Sequence, residues 1–379
     1  MKKSRILIYQ NEFSSYGGYK TVNYIDLYLK EKLSLIKISN SDVKNKLHYK
    51  LIKILNNILS NFFGHQITTL ITPQLKKSKI KFDKILIGYA NEIYDFKNLL
   101  YSKIKKFYII NDDWIFTGFS HFNLNQGRFK NILINFIKYY SFNYIQKKIN
   151  NSKNFYFIFS CDYFKKIALR KFNLPHKNYI TIKNPVNTQF WRKKNSKTVN
   201  IFKKKLLLNK NHFYILIYLR GGFENYRKGG DRFKKLISVF DEYKDIKFLI
   251  VGSDRRVKIK NSIFIKTRDL SFLREIIHVS SISINLSRKE GVPYSILESM
   301  SCGTPVLSMN SGGINEIIDN NINGFLFSKF DLKKIKQKII FLKKNKKTLN
   351  KFGNKASKIV FLKHGHKKIL NNYYKLLKN

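Results

Sequence analysis

The sequence predicts an α/β protein built from two parallel-sheet domains, and three observations carry that prediction. Short apolar runs that fit buried strands recur along the chain and alternate with stretches of helical periodicity. At 379 residues the chain is long enough for two domains of ordinary size, each with its own core. Glycine-rich turns stand ahead of helices at 14–18 and again at 220–230, as in open sheets that hold ligands at their strand ends.

The elements follow in order. RILIY at 5–9 reads as a first buried strand, and SSYGG at 14–18 as a loop feeding a helix from about residue 20 to 32. Gly17 and Gly18 there let a substrate or a diphosphate approach the backbone, or simply make a turn. Residues 44–63 are apolar and basic at helical spacing, and ILIG at 85–88 and FYII at 107–110 read as further strands. Residues 127–150 form a long predicted helix with apolar and aromatic residues recurring at three and four and Lys or Arg between them. That composition suits an interfacial membrane helix as well as a core helix with a solvated face. A strand at 155–160 and a helix at 161–172 complete the first domain, and the basic, aperiodic run after it places the linker near 190–198.

The second domain opens with a strand at 213–219 and the loop RGGFENYRKGG at 220–230. Backbone N–H groups, a helix start and the fixed charges of Arg220 and Lys228 suit that loop to a diphosphate. A solvated basic loop is the alternative. Strands at 248–252, 263–266 and 282–286 lead to the stretch that organises the chain, EGVPYSILESMSCGTPVLSMNSGG at 290–313. Glu290 stands in a loop after a strand, Pro293 starts a helix, and Glu298 lies inside that short helix, which Gly303 ends. Two carboxylates are thereby expected to face one strand-end crevice. Behind them 305–309 reads as a buried strand, and the 310–313 turn is expected to open a second helix at Ile314, offering N–H groups to anionic oxygens. An ordinary βαβ unit with solvated acids is the competing reading. The chain closes on two Lys-rich helical stretches at 331–352 and 355–377.

Composition sets the outer limits. Hydrophobic residues make up 43% and aromatics 15%, which excludes a disordered chain in spite of 74 Lys+Arg against 23 Asp+Glu and a net charge of +51. Such charge attracts polyanions, yet no RNA-module or helix-turn-helix signature accompanies it, and enrichment in Lys, Ile, Asn, Phe and Tyr together fits a compositional bias. Adsorption to an anionic membrane surface is the better use of the charge. Cys161 and Cys302, far apart and in apolar contexts, build neither a metal cluster nor a disulfide framework, which suits a reducing cytoplasm. No signal peptide and no membrane-spanning run is expected.

The motif Glu290-x7-Glu298 within SRKEGVPYSILESMSCGTPVL, followed by GGINEII and NGFLF, resembles the donor-site signature of family 4 retaining glycosyltransferases. The resemblance implies the GT-B fold: two Rossmann-like domains facing a central cleft, here 1–190 on the acceptor side and 199–355 on the donor side, with the helix 356–379 crossing back to the first. It implies that Glu290 contacts hydroxyls of the transferred sugar, that Glu298 accepts from the nucleotide ribose, and that Arg220 and Lys228 hold the pyrophosphate, with Arg227 competing for that role. Gly17, Gly18, Gly291, Ile296, Leu297, Gly312 and Gly313 complete the donor site on the same basis. The segment NDDWIFTGFSHF at 111–122 resembles one found in a colanic-acid and O-antigen subgroup, matching at Asp112, Trp114, Phe116, Thr117, Gly118 and His121. Asn111 replaces that subgroup's first His and cannot titrate, and His121 is the candidate replacement, although a His beside aromatics is as often structural. Residues 182–190 resemble the segment that closes the first domain, with Asn187 for the usual Asp.

The expected function is therefore hexosyl transfer from a UDP- or GDP-sugar to a glycan acceptor, lipid-linked, in surface polysaccharide synthesis. The resemblance implies no metal and no cofactor beyond the donor substrate, and places the enzyme in the cytoplasm at the inner face of the membrane. Three rivals are weighed: a transferase-like protein with lost activity, a nucleotide-sugar epimerase of the same architecture, and a basic nucleic-acid-binding protein, which salt would displace.

Overall fold

A computed structural model describes residues 4–9, 19–39, 42, 46–63, 82–88, 103–118, 128–152, 154–252 and 259–379. The chain divides into two compact units, Met1–Pro185 with His366–Asn379, and Val186–Gly365.

In the first unit the described strands are β1 (Arg5–Tyr9), β2 (Ser34–Ile38), β3 (Lys84–Ile87), β4 (Lys105–Ile110), β5 (Phe155–Phe159) and β6 (Tyr179–Thr181). They form one sheet in the order β2-β1-β3-β4-β5-β6, with every neighbouring pair parallel. Parallel strands covered on both faces must be apolar throughout, which is why FYII and FYFIF are buried nearly end to end. The helices described before residue 186 are α1 (Lys20–Leu29), α2 (Lys46–Phe63), α3 (Arg128–Asn150) and α4 (Asp162–Lys171). Ile6 and Ile8 of β1, Val22, Ile25 and Leu29 of α1, and Phe107 and Ile109 of β4 share one core.

The second unit repeats the plan with β7 (Phe213–Tyr218), β8 (Ile246–Val251), β9 (Ser262–Ile265), β10 (Ile282–Asn285), β11 (Val306–Met309) and β12 (Gly324–Phe327), in the order β12-β11-β10-β7-β8-β9 and again wholly parallel. Its helices are α5 (Ser196–Lys205), α6 (Gly230–Ser238), α7 (Leu270–Val279), α8 (Tyr294–Ser301), α9 (Leu332–Lys344) and α10 (Lys346–His364). The expected fold class, α/β with two parallel sheets, is the observed one.

The boundaries differ from the sequence reading. Residues 190–198, read as the linker, belong to the second unit, which begins at Val186. The Val186 N–H donates to His364 O at 2.8 Å, Trp191 is buried, and the Asn187 side chain accepts from the Gln189 and Phe190 N–H groups, so Asn187 itself organises the turn. The supposedly aperiodic run after it contains α5, which Asn195 caps through the Thr198 N–H at 2.9 Å. At the other end the helix expected over 355–377 is two helices. α10 stays with the second unit, burying Phe352 in its core and joining Ser357 Oγ to Ser301 O at 3.0 Å. The chain breaks at Gly365, and α11 (His366–Lys378) buries Ile369, Leu370, Tyr373 and Leu377 in the core of the first unit. Val186 and Gly365 form a parallel bridge, so both chain crossings between the units leave from adjacent backbone.

Both cysteines are buried free thiols. Among the described residues no group of three or more His, Cys, Asp or Glu is placed to hold a metal ion.

Candidate active site

The second unit gathers its charged groups where β7 and β10 end. β7 runs out into the 220–230 loop, whose glycines at 221, 222 and 229 all take positive φ. Gly229 has no room for a side chain, since a Cβ there would stand 2.3 Å from Leu286 O. The loop is thereby pressed onto the end of β10. Within it Asn225 Oδ1 accepts from the Lys228 N–H at 3.0 Å and turns that side chain back toward the sheet.

There it meets Glu290. Lys228 Nζ lies 2.5 Å from Glu290 Oε1, and Arg227 Nη1 lies 3.4 Å from the same oxygen. The two basic residues thus share one carboxylate oxygen. Burial by itself would raise the Glu290 carboxyl, but the Lys228 ammonium, the Arg227 guanidinium and hydrogen bonds from Lys228 and Ser287 outweigh it and hold the group below the usual carboxylate range. Lys228 is pushed below the usual lysine value, chiefly by burial, with Arg227 and Arg220 adding to the effect and Glu290 opposing it. Glu290 is ionised, and one carboxylate stands before three cations. Such an excess of positive charge is stabilised by an anion.

Glu298 has other neighbours. It lies on α8, buried beside the phenol of Tyr218 and the thiol of Cys302. Both groups are raised well above their ordinary values, first by burial and then by the Glu298 charge. Ile296 and Leu297 of the same helix are buried, and Gly291 follows Glu290 directly.

The 310–313 turn does something other than the sequence suggested. Ile314 opens a single 3-10 turn, Ile314–Glu316, and not an α-helix; Ile317 and Ile318 are drawn into the core, and a turn at 319–323 ends the segment. No extended helix dipole is therefore aimed from this position. The Gly313 N–H is spent on Gly291 O at 3.2 Å. Gly312 takes a φ of +60°, and a Cβ on it would fall 1.6 Å from Glu290 O. The turn thus fixes the backbone that carries Glu290.

The first unit holds the remaining predicted residues. Asn111 directly follows β4 and is half-buried, while Asp112 accepts from the Trp114 N–H at 3.0 Å and organises a 3-10 turn, Trp114–Phe116. Trp114, Phe116 and Thr117 are buried there, which gives this part of the motif a packing role. His121, Gly17 and Gly18 lie outside the described residues. Arg220, Lys228, Glu290 and Glu298 fall in one unit and Asn111 in the other.

Sequence reasoning missed Arg288. Its guanidinium grips Asp231 with two bonds of 2.7 Å, donates to Tyr226 O at 2.6 Å and lies 3.5 Å from the centre of the Tyr226 ring. Its own N–H donates to Arg227 O at 2.8 Å. Arg288 therefore ties the loop carrying Lys228 to the segment carrying Glu290. The available signal was an Arg two residues before Glu290 and an Asp in the first turn after the Gly229-Gly230 pair. Replacing Arg288 by alanine is expected to lower stability by about 1–2 kcal/mol, since a charged hydrogen-bond pair is lost at a partly exposed site. The hydrogen bonds from Arg288 hold the Asp231 carboxyl below its ordinary value against the effect of burial. A depressed carboxyl contributes stability above its unfolded pKa and loses it as pH falls through the folded one. The gap in melting temperature between wild type and variant should be full at neutral pH and close below about pH 4.

Residues 198–359 match the model for "Glycosyl transferases group 1". An N-acetyl-alpha-D-glucosaminyl L-malate synthase of Bacillus anthracis is 24% identical over 208 residues, 52% of this chain and 53% of that protein, so the match spans about half of that relative. An uncharacterized glycosyltransferase of Haemophilus influenzae is 27% identical over 285 residues, 69% of this chain and 73% of its own. Among solved structures, a Rickettsia africae glycosyltransferase aligns over 100% of this chain and 98% of its own with a TM-score of 0.65 and 16% identity. Anabaena HepE in complex with UDP aligns over 99% of each chain with a TM-score of 0.66 and 14% identity. These structural likenesses are of fold. The chain thus has the GT-B fold class of two parallel α/β sheets, and its residues 198–359 are similar to the group 1 glycosyltransferase domain.

Proposed function

We propose that the protein is a retaining hexosyltransferase that takes its sugar from a nucleoside-diphosphate sugar, a UDP- or GDP-sugar. The observation that carries this reading is the buried Glu290 carboxylate held by Lys228 and Arg227, with Arg220 adding its charge to theirs. The three cations suit a departing diphosphate, and they do the work that a divalent ion performs elsewhere. In the transfer the C1–O bond to the diphosphate breaks as the acceptor hydroxyl forms a new C1–O bond on the same face. The hydroxyl proton passes to the departing phosphate oxygen, so no separate general base is needed. Glu290 is assigned to the sugar hydroxyls and Glu298 to the ribose. The acceptor in this reading is a lipid-linked glycan of a surface polysaccharide, in the colanic-acid and O-antigen manner, and the enzyme works at the inner face of the cytoplasmic membrane.

HepE, of similar fold, has been crystallised with UDP and with UDP-glucose, which supports a donor of this class. The test is thermal denaturation with UDP-, GDP- and dTDP-sugars in the presence of a chelator, followed by donor turnover. One base should raise the melting temperature by an amount worth about 2.7 kcal/mol at a hundred times its dissociation constant, and Glu298→Ala should lose that response. A response without any turnover would favour the lost-activity rival. Silence to every nucleotide would end the donor-site assignment.

A further inference from the structure

The first unit carries an apolar surface that its own core does not use. On α2, Leu47, Leu51, Ile54 and Ile58 recur at intervals of four, three and four, so they share one face, and each is more than half exposed. Ile52 and Asn56 are buried, so the helix is already seated by another face. α3 repeats the arrangement. Ile132, Phe136, Tyr139 and Tyr140 are more than half exposed along one face, while Ile134, Ile145 and Ile149 are buried. The exposed rings pack against each other, Phe136 and Tyr140 with centroids 4.7 Å apart and Tyr139 and Tyr140 5.4 Å apart.

The two helices meet. Leu59 of α2 and Ile137 of α3 pack against the buried Ile134. Leu59 stands one turn after Leu55, at the edge of the α2 stripe, and Ile137 one turn before Tyr140. The seam therefore borders both exposed faces. Monomeric proteins seldom leave large aliphatic and aromatic side chains in rows on adjoining helices unless something covers them.

The charge says what covers them. α2 and α3, 18 and 23 residues long, contain no Asp or Glu between them, and their polar positions include Lys50, Lys53, Lys147 and Lys148. Lys148 Nζ lies 5.6 Å from the Tyr144 ring centre, so part of the basic charge borders the aromatic face. Aliphatic and aromatic rows flanked by lysine match a surface that is apolar below and anionic above. A second copy of the chain does not match, because a two-fold contact would press one acid-free basic face onto another. Among the described residues no helix is long and apolar enough to cross a membrane, so these two can lie only along its surface.

We propose that α2 and α3 together form the face by which the first unit docks on an anionic lipid bilayer. The inference deepens the membrane part of the proposed function, and rests on it only for the sense of bringing the enzyme to a lipid-borne acceptor. It replaces a general attraction of +51 charges by a defined face of two helices.

The full-length protein should float with vesicles of phosphatidylcholine containing about one-third phosphatidylglycerol at about 0.1 M salt, and much less with phosphatidylcholine alone. The double variant Leu51→Glu/Phe136→Glu should lower the bound fraction at least tenfold. The control is Ile201→Glu/Leu207→Glu, which makes the same chemical change at exposed positions of the second unit and should change binding less than twofold. An equal loss in both variants would mean that net charge alone drives adsorption, and overturns the proposal. So would sedimentation as a dimer that the first variant abolishes while vesicles bind neither protein. Melting temperature and the response to UDP, measured on all three proteins, should be unchanged, which shows the variants to be folded. Silence to every nucleotide with vesicle binding intact would defeat the donor-site reading and leave this surface standing.

Discussion

Glu290→Ala is expected to lower kcat on the order of a thousandfold, the scale seen when a preorganised charged contact to the reacting group is deleted. The affinity for UDP should hold or rise. Removing the carboxylate leaves Lys228 and Arg227 facing each other with Arg220 at hand, and a diphosphate then becomes the sole counter-charge. Breaking a buried ion pair by deleting one member costs about 3–5 kcal/mol. The lower end applies, because Lys228 keeps 21% of its side chain in solvent. Calorimetry with UDP beside steady-state kinetics separates the two effects. A fall in UDP affinity that matches the fall in kcat would assign Glu290 to nucleotide binding and refute its place at the sugar.

Gly312→Ala should be as damaging by another route. The new methyl would stand 1.6 Å from Glu290 O, and both partners are backbone, so no rotamer change relieves the overlap. The φ of +60° adds strain for any residue with a Cβ. A loss of about 4 kcal/mol or more is expected, with turnover falling even where the protein still folds, since Glu290 must shift with its own carbonyl. Thermal denaturation and kcat on the same preparation test this. Normal turnover in a stable Gly312→Ala protein would show that the turn does not position Glu290.

The parts of the fold legible in the sequence share a physical cause. RILIY, FYII, FYFIF and FLIV are continuous apolar runs because their strands are covered on both faces. The strands left unread, β2, β6 and β12, all lie at sheet edges. There one side is open, the runs are short, and polar residues such as Ser34 and Lys37 dilute the signal. The candidate site divides in the same way. Glu290, Glu298 and the 312–313 turn lie along one continuous stretch and read as a motif. The bond between Arg288 and Asp231 joins residues 57 apart, so neither end announces the other. The hydrogen bond from the Gly313 N–H to Gly291 O is likewise a tertiary fact, and it takes one N–H of the turn into support of the backbone.

The bridge between Val186 and Gly365 has a consequence for how the gene can be cut. Topologically the second unit is an insert with abutting ends, whereas the first is discontinuous and is completed by the last fourteen residues, 366–379. A fragment of residues 186–365 should express, melt cooperatively and respond by itself to whichever nucleotide stabilises the full chain, because its core and the proposed donor residues Arg220, Lys228, Glu290 and Glu298 are all internal to it. A stop after residue 185 should fail, since it removes Ile369, Leu370, Tyr373 and Leu377 from the remaining core, and each such side chain stabilises by roughly 1.5–3 kcal/mol. The second unit can thus be exchanged as a single cassette, while the first can be inherited only together with residues 366–379.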